Sequence, residues 1–178
     1  MTVYADTSWW IACKITDDAN HDAAIRAFDL YPDIQVAWTP WQRAEVFNLL
    51  RQLERAGIVI AGKARELIRL LEQEVRLGYW PHAEFDWRDA VRTACELSAE
   101  HGLSVPIRGM DLFHVAIAIE AGADAFLTFD AEQEALADAD LMARDKANLD
   151  IFWLKDDSLA DTENLHKPAI LAAEIVET

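Results

Sequence analysis

The chain has 178 residues, of which 52% are hydrophobic, and carries a formal net charge of −16 at pH 7. That length suits one domain with a real core, and the hydrophobic share excludes disorder over most of it. No apolar run is long enough to span a membrane, and the opening MTVYADTS lacks the basic region and apolar stretch of a secretory signal.

Thr2 to Ala5 is a short strand candidate that ends at Asp6, and WWIACKI after it is long enough for a helical turn or two. Asn20 is placed to cap a helix to about Tyr31, where Pro32 stops it. Ile34 to Trp38 reads as a second strand. Thr39-Pro40 is a helix start, an N-cap hydroxyl followed by proline at N1. That helix runs to about Ala56, with Val46, Leu49, Leu50 and Leu53 inward, and Gly57 ends it. A helix is expected from Gly62 to about Leu77. Tyr79 to Phe85 is a loop or weak strand. Asp86 caps a helix whose stripe reads Val91, Ala94, Cys95 and Ser98, so Cys95 is expected in the core. With Cys13, Cys95 forms no metal or redox motif, and free thiols without a signal peptide point to a reducing cytoplasm.

The most informative stretch is IRGMDLFHVAIAIEAGADAFLTFD, Ile107 to Asp130. Gly109 opens a helix, Leu112 to Ala121 carry it, and Gly122 stands where a left-handed C′ residue is expected. Ala125 to Phe129 is the apolar run of a buried parallel strand, and Asp130 follows it. Beyond Asp130, Ala131 to about Ala137 reads as helix and Ile151 to Leu154 as a last strand. Ala169 to Val176 reads as a short terminal helix. Strands alternating with helices indicate an α/β domain with a mainly parallel sheet.

Four acids stand out by position: Asp6 and Asp130 at strand ends, Glu45 beside the apolar stripe of its helix, and Asp111 in a first helical turn. In α/β sheets, ligands collect at the carboxyl ends of the strands. Gathered carboxylates need a cation to stay ionised together, and Mg²⁺ or Mn²⁺ suits an all-oxygen site. Each acid also has a plain structural reading: a turn at Asp6, an exposed charge at Glu45, a helix start at Asp111 and a helix cap at Asp130. His114 lies one turn beyond Asp111, either facing the same place or packed in the core. Asn48 follows Glu45 by three residues. Arg43 and Arg108 are candidates for phosphate contact or for surface pairing. Trp9, Trp10, Trp38 and Trp41 are candidates for base stacking, but read better as core or interface. No basic cluster of the kind that grips phosphate is visible along the chain. The acids after Asp130 read as a solvated face.

Three segments, VYADTSWWIA, TPWQRAEVFNLL and RGMDLFHVAIAIEAGADAFLTFD, occur in the order found in PIN-domain nucleases. The sequence resembles that family, especially the VapC-type toxins of toxin–antitoxin pairs. The resemblance covers about residues 2 to 130 and implies a three-layer α/β/α fold; the domain is read as residues 1–154, followed by an acidic tail at 155–178, and the segment after Asp130 is longer and more acidic than a typical member's ending. It implies Mg²⁺- or Mn²⁺-dependent endoribonuclease activity in the cytoplasm, an RNA substrate and a cognate antitoxin. By position the family's acidic quartet falls on Asp6, Glu45, Asp111 and Asp130. Its hydroxyls fall on Thr7 or Ser8 and on Thr128, with Asn48 and Arg108 as possible support. A homodimer is expected from the tryptophan content. The competing reading is a PIN-like binding module that uses its acids to hold a metal or partner. A phosphoryl-accepting receiver domain is disfavoured, because the strand at Ile34 to Trp38 ends without an aspartate.

Overall fold

A computed structural model describes residues 1–30, 32–144 and 150–153, with side chains to residue 137. Four short parallel strands form one sheet: β1 (Thr2–Ala5), β2 (Gln35–Ala37), β3 (Ala125–Thr128) and β4 (Asp150–Trp153), in the order β2-β1-β3-β4. Seven helices occur among the described residues: α1 (Thr7–Lys14), α2 (His21–Leu30), α3 (Pro40–Arg55), α4 (Lys63–Arg76), α5 (Trp87–His101), α6 (Gly109–Glu120) and α7 (Ala131–Arg144).

Side chains alternate across a strand, so β1 feeds two separate cores. Val3 and Ala5 pack with Trp9, Trp10, Trp38, Val46 and Leu50 on one face. Tyr4 packs with Leu97, Val115, Ile117 and Phe126 on the other. The result is the expected three-layer α/β/α architecture. Trp9, Trp10 and Trp38 are buried in the first core, with Trp10 edge-on to Trp38 at a centroid distance of 4.8 Å. The tryptophans at these positions are thus consumed by the fold of one chain and give no support to a dimer. Trp41 is half-buried against Phe113.

The punctuation in the sequence works as its chemistry dictates. Thr39 accepts from the Gln42 N–H, and the Gln42 side chain accepts in return from the Thr39 N–H at 2.7 Å, a reciprocal capping box. Gly122 has φ +61°, the left-handed conformation that ends α6. The segment after Tyr79 forms a single bridge, Trp38 to His82, on the edge beside β2. α7 extends past Ala137 to Arg144, longer than its local pattern suggests. The expected terminal helix at Ala169 to Val176 and the rest of the acidic tail lie outside the described residues.

One helix face differs from the expectation. α5 buries Ala90, Thr93, Leu97 and His101, while Val91 and Cys95 are exposed. Cys95 is therefore not core. Small Ala90 and polar Thr93 turn toward α6, where the Thr93 hydroxyl donates to Glu120 at 2.5 Å. A tertiary hydrogen bond and close packing outweigh the weak apolar stripe one position along the helix.

Candidate active site

The parallel pairing of β1 with β3 sets the site's floor. The register places Ala5 opposite Leu127, and the Asp6 N–H donates to the Leu127 carbonyl at 3.0 Å. The residues just past both strand ends, Asp6 and Thr128 to Asp130, therefore emerge side by side. Asp6 is 1% exposed. Its carboxylate accepts from the Ser8 hydroxyl (2.7 and 2.8 Å), the Trp9 N–H (2.9 Å) and the Thr128 hydroxyl (3.0 Å). Asp6 thus caps α1 and is fixed by both candidate hydroxyl neighbours. Burial raises its pKa above the ordinary aspartate value, against the opposing pull of His114 and these hydrogen bonds.

Asp130 caps α7, accepting at Oδ1 from the N–H groups of Glu132 (2.8 Å) and Gln133 (3.1 Å). Its own N–H donates to Thr128 Oγ1 at 2.9 Å, so Thr128 joins the two strand-end aspartates. The plain reading of Asp130 as a helix cap holds, while Asp6, read plainly as a turn, is instead the N-cap of α1. Neither cap competes with a site, because a capping aspartate keeps carboxylate lone pairs free for a second partner.

Glu45 reaches the same place from α3. Buried Gln42 donates from Nε2 to the Ala5 carbonyl at 2.6 Å, tying the start of α3 to the end of β1. Glu45, three residues on, is carried over the strand end. It accepts from the Thr7 hydroxyl at 2.8 Å and from His114 Nε2. Burial alone would raise the Glu45 pKa, but the His114 hydrogen bond and charge, with Thr7, hold it below the usual value. His114 is 1% exposed, and its Nδ1 meets the Tyr4 hydroxyl at 2.9 Å. It is both a packed core residue and a partner of Glu45.

Asp111, in the first turn of α6, accepts from Arg108 Nε at 2.7 Å. The same guanidinium lies 3.9 Å from Asp130 Oδ2. All four acids, with Thr7, Ser8, Asn48, Arg108 and His114, line one open cavity of about 320 Å³. Arg43 does not reach it and pairs with Glu72. Leu49, Gln52 and Gln133 complete the wall and were not foreseen. Gln42 was also missed, although Thr39-x-x-Gln42 is a capping-box signature.

The donor set is all oxygen and already engages the Arg108 guanidinium at Asp111 and Asp130 and the His114 imidazole at Glu45. Among the described residues, no three carboxylate, imidazole or thiol side chains converge closely enough to cage an ion by themselves. The residues suit a Mg²⁺-like ion that keeps several of its waters and takes only a few carboxylate ligands.

The family model for the PIN domain matches residues 3–139, and the chain belongs to the PIN-domain family. No curated protein matches the sequence. Several solved structures share its fold. VapC20 of Mycobacterium tuberculosis, described as a sarcin–ricin loop cleaving toxin, is 21% identical with a TM-score of 0.53, covering 75% of this chain and 93% of its own. VapBC2 of Rickettsia felis, solved with a fragment of its promoter DNA, is 13% identical with a TM-score of 0.56, covering 86% and 100%. VapBC-5 of M. tuberculosis, from a toxin–antitoxin system, is 23% identical with a TM-score of 0.51, covering 85% and 97%.

Proposed function

We propose that this chain is a metal-dependent endoribonuclease, the toxin of a toxin–antitoxin pair. The observation that carries the reading is the gathering of Asp6, Glu45, Asp111 and Asp130, from four separate elements, around one open cavity. Of Asp6, Glu45, Asp111 and Asp130, a few would ligate Mg²⁺ or Mn²⁺ directly and the others would reach it through its waters. Such an ion, when bound, supplies the charge that activates water and stabilises the phosphorane-like charge of an in-line displacement. Asp6 is held in one rotamer by Ser8 and Thr128. Glu45 is held by Thr7 and His114, leaving its second oxygen to orient water. Arg108 and Asn48 stand at the rim, where a phosphate would arrive.

The similar structures support the antitoxin assignment. The solved VapBC assemblies pair a PIN protein with its antitoxin, and an antitoxin is the partner proposed here. A homodimer is also proposed, resting on exposed apolar side chains such as Leu77, Tyr79 and Trp87. Among the described residues no helix is long and apolar enough to cross a membrane, which is compatible with the proposed cytoplasmic location.

The second reading, a binding module without nuclease activity, is favoured by one observation: the Arg108 guanidinium already lies within ion-pair distance of Asp111 and Asp130, and His114 hydrogen-bonds Glu45. Incubation with RNA separates the two. Cleavage that needs Mg²⁺ or Mn²⁺, stops with EDTA and is lost in Asp6→Asn supports the nuclease. Metal binding without cleavage by the wild type supports the module.

A further inference from the structure

The chain holds 32 acidic and 16 basic side chains, so most arginines should find an acid nearby. On one face they do not. α3 and α4 pack together and frame a cleft of about 540 Å³ lined by Arg51, Arg55 and Arg65. Arg69, one turn beyond Arg65, lines the adjoining hollow on α4. Among the described residues none of these four has an acid within ion-pair distance, and Arg51 donates only to the Phe47 carbonyl, at 3.0 Å.

Three acids share these linings, Glu54 in the cleft and Glu66 and Glu72 in the adjoining hollow, and each has a partner other than these four arginines. Glu54 accepts from the Ala64 N–H at 2.8 Å at the start of α4, and the N–H groups of Gly62 and Ala64 hold its carboxyl below the usual range. Glu66 pairs with Lys63 at 3.2 Å, and Glu72 pairs with Arg43. The sequence shows no basic cluster because these arginines lie on two helices and meet only when α3 and α4 pack.

The cleft and the acidic cavity share no lining residue but lie along the same helix. Glu45, Asn48, Leu49 and Gln52 of α3 line the cavity, and Arg51 and Arg55 of the same helix line the cleft. At 1.5 Å per residue, Arg55 lies about 15 Å along the helix from Glu45. Charges are screened over about 8 Å at physiological salt, so the patch acts locally despite the acidic whole. Guanidinium forks match phosphate oxygens in geometry as well as charge.

We propose that the α3–α4 cleft holds the RNA strand leaving the active site, gripping its phosphates through Arg51, Arg55, Arg65 and Arg69. The assignment rests on the ribonuclease reading. It resolves the charge problem that reading raises, because attraction is supplied away from the carboxylates that do the chemistry.

The test uses the full chain and the double variant Arg55→Glu, Arg65→Glu. Both sites are exposed, and an unchanged melting temperature confirms the fold. Arg55→Gln with Arg65→Gln provides a milder pair, expected to show the same changes at smaller size. Cleavage with Mn²⁺ is followed on a short oligoribonucleotide spanning only the cavity and on a single-stranded RNA several times longer. For the long RNA, KM should rise about tenfold with kcat retained, and the salt slope of binding should fall by about 1.4 for two lost phosphate contacts. The short substrate should be cleaved as by the wild type. If the wild type cleaves both RNAs and the variant matches it in KM and salt slope, the cleft proposal fails while the nuclease reading stands. If the wild type cleaves neither, the nuclease reading fails, and anisotropy with the long RNA then judges the cleft by itself. Unchanged RNA behaviour with an altered oligomeric state by light scattering would assign the cleft to contact between copies and overturn the proposal.

Discussion

His114 of α6 and Glu45 of α3 are joined by a hydrogen bond between Nε2 and a carboxylate oxygen, 69 positions apart in sequence. The other ring nitrogen meets Tyr4 on β1. One buried imidazole thus couples a central strand, the helix on one face of the sheet and the helix on the other. His114→Ala should leave the Tyr4 hydroxyl and Glu45 without this partner and open a cavity, costing about 2–4 kcal/mol. Tyr4→Phe removes one hydroxyl and should cost about 1 kcal/mol. Urea unfolding curves measure both. An Ala variant as stable as the wild type would show that the imidazole does not tie these elements together.

Metal binding to the folded state should raise the melting temperature as Mn²⁺ increases, by the equivalent of about 2.7 kcal/mol at a hundredfold excess over Kd. Asp130→Asn isolates the metal contribution, since Asn caps a helix about as well as Asp. The variant should match the wild type within about 0.5 kcal/mol in EDTA and show a smaller Mn²⁺ shift. A full Mn²⁺ shift would reduce Asp130 to a helix cap.

Asp6 gives a pH signature in EDTA. Its folded pKa lies above the ordinary aspartate value of 3.8, because burial disfavours the charge. The folded state therefore prefers the protonated carboxyl. Its stabilising contribution is present near and below pH 3.8 and is lost as pH rises through the folded pKa. Asp6→Asn lacks this titration. Its melting temperature relative to the wild type should climb over that window and then level off. The Glu45 contribution has the opposite sign, being lost on acidification, but both proteins share it. A relative melting temperature that instead falls with rising pH would mean that the hydroxyls and the Trp9 N–H overcome burial.

The two thiols should differ in reactivity. Burial pushes the Cys13 thiol up to about 11, whereas Cys95 is exposed. Alkylation of the native protein at mildly alkaline pH should label Cys95, and unfolding should be needed to label Cys13. Mass spectrometry of peptides after limited labelling checks this. Rapid native labelling at Cys13 would contradict the packing of α1.

Sequence by itself determined what neighbours along the chain decide. The strand run before Asp6, the apolar run before Asp130, the cap at Thr39-Pro40 and the left-handed Gly122 are local matters of backbone geometry and hydrogen bonding, and each is legible in a few residues. The positions of the four acids follow from such local signals. Tertiary structure decided what those acids touch. Only parallel pairing of β1 with β3 brings Thr128 to Asp6, and only the seating of α3 on β1 through Gln42 carries Glu45 to His114. The rotation of α5 that exposes Cys95 reflects what α6 offers across the interface, which no stripe on α5 encodes. The arginines of α3 and α4 make a patch for the same reason: charge density is a property of distance in space, and packing two helices sets it.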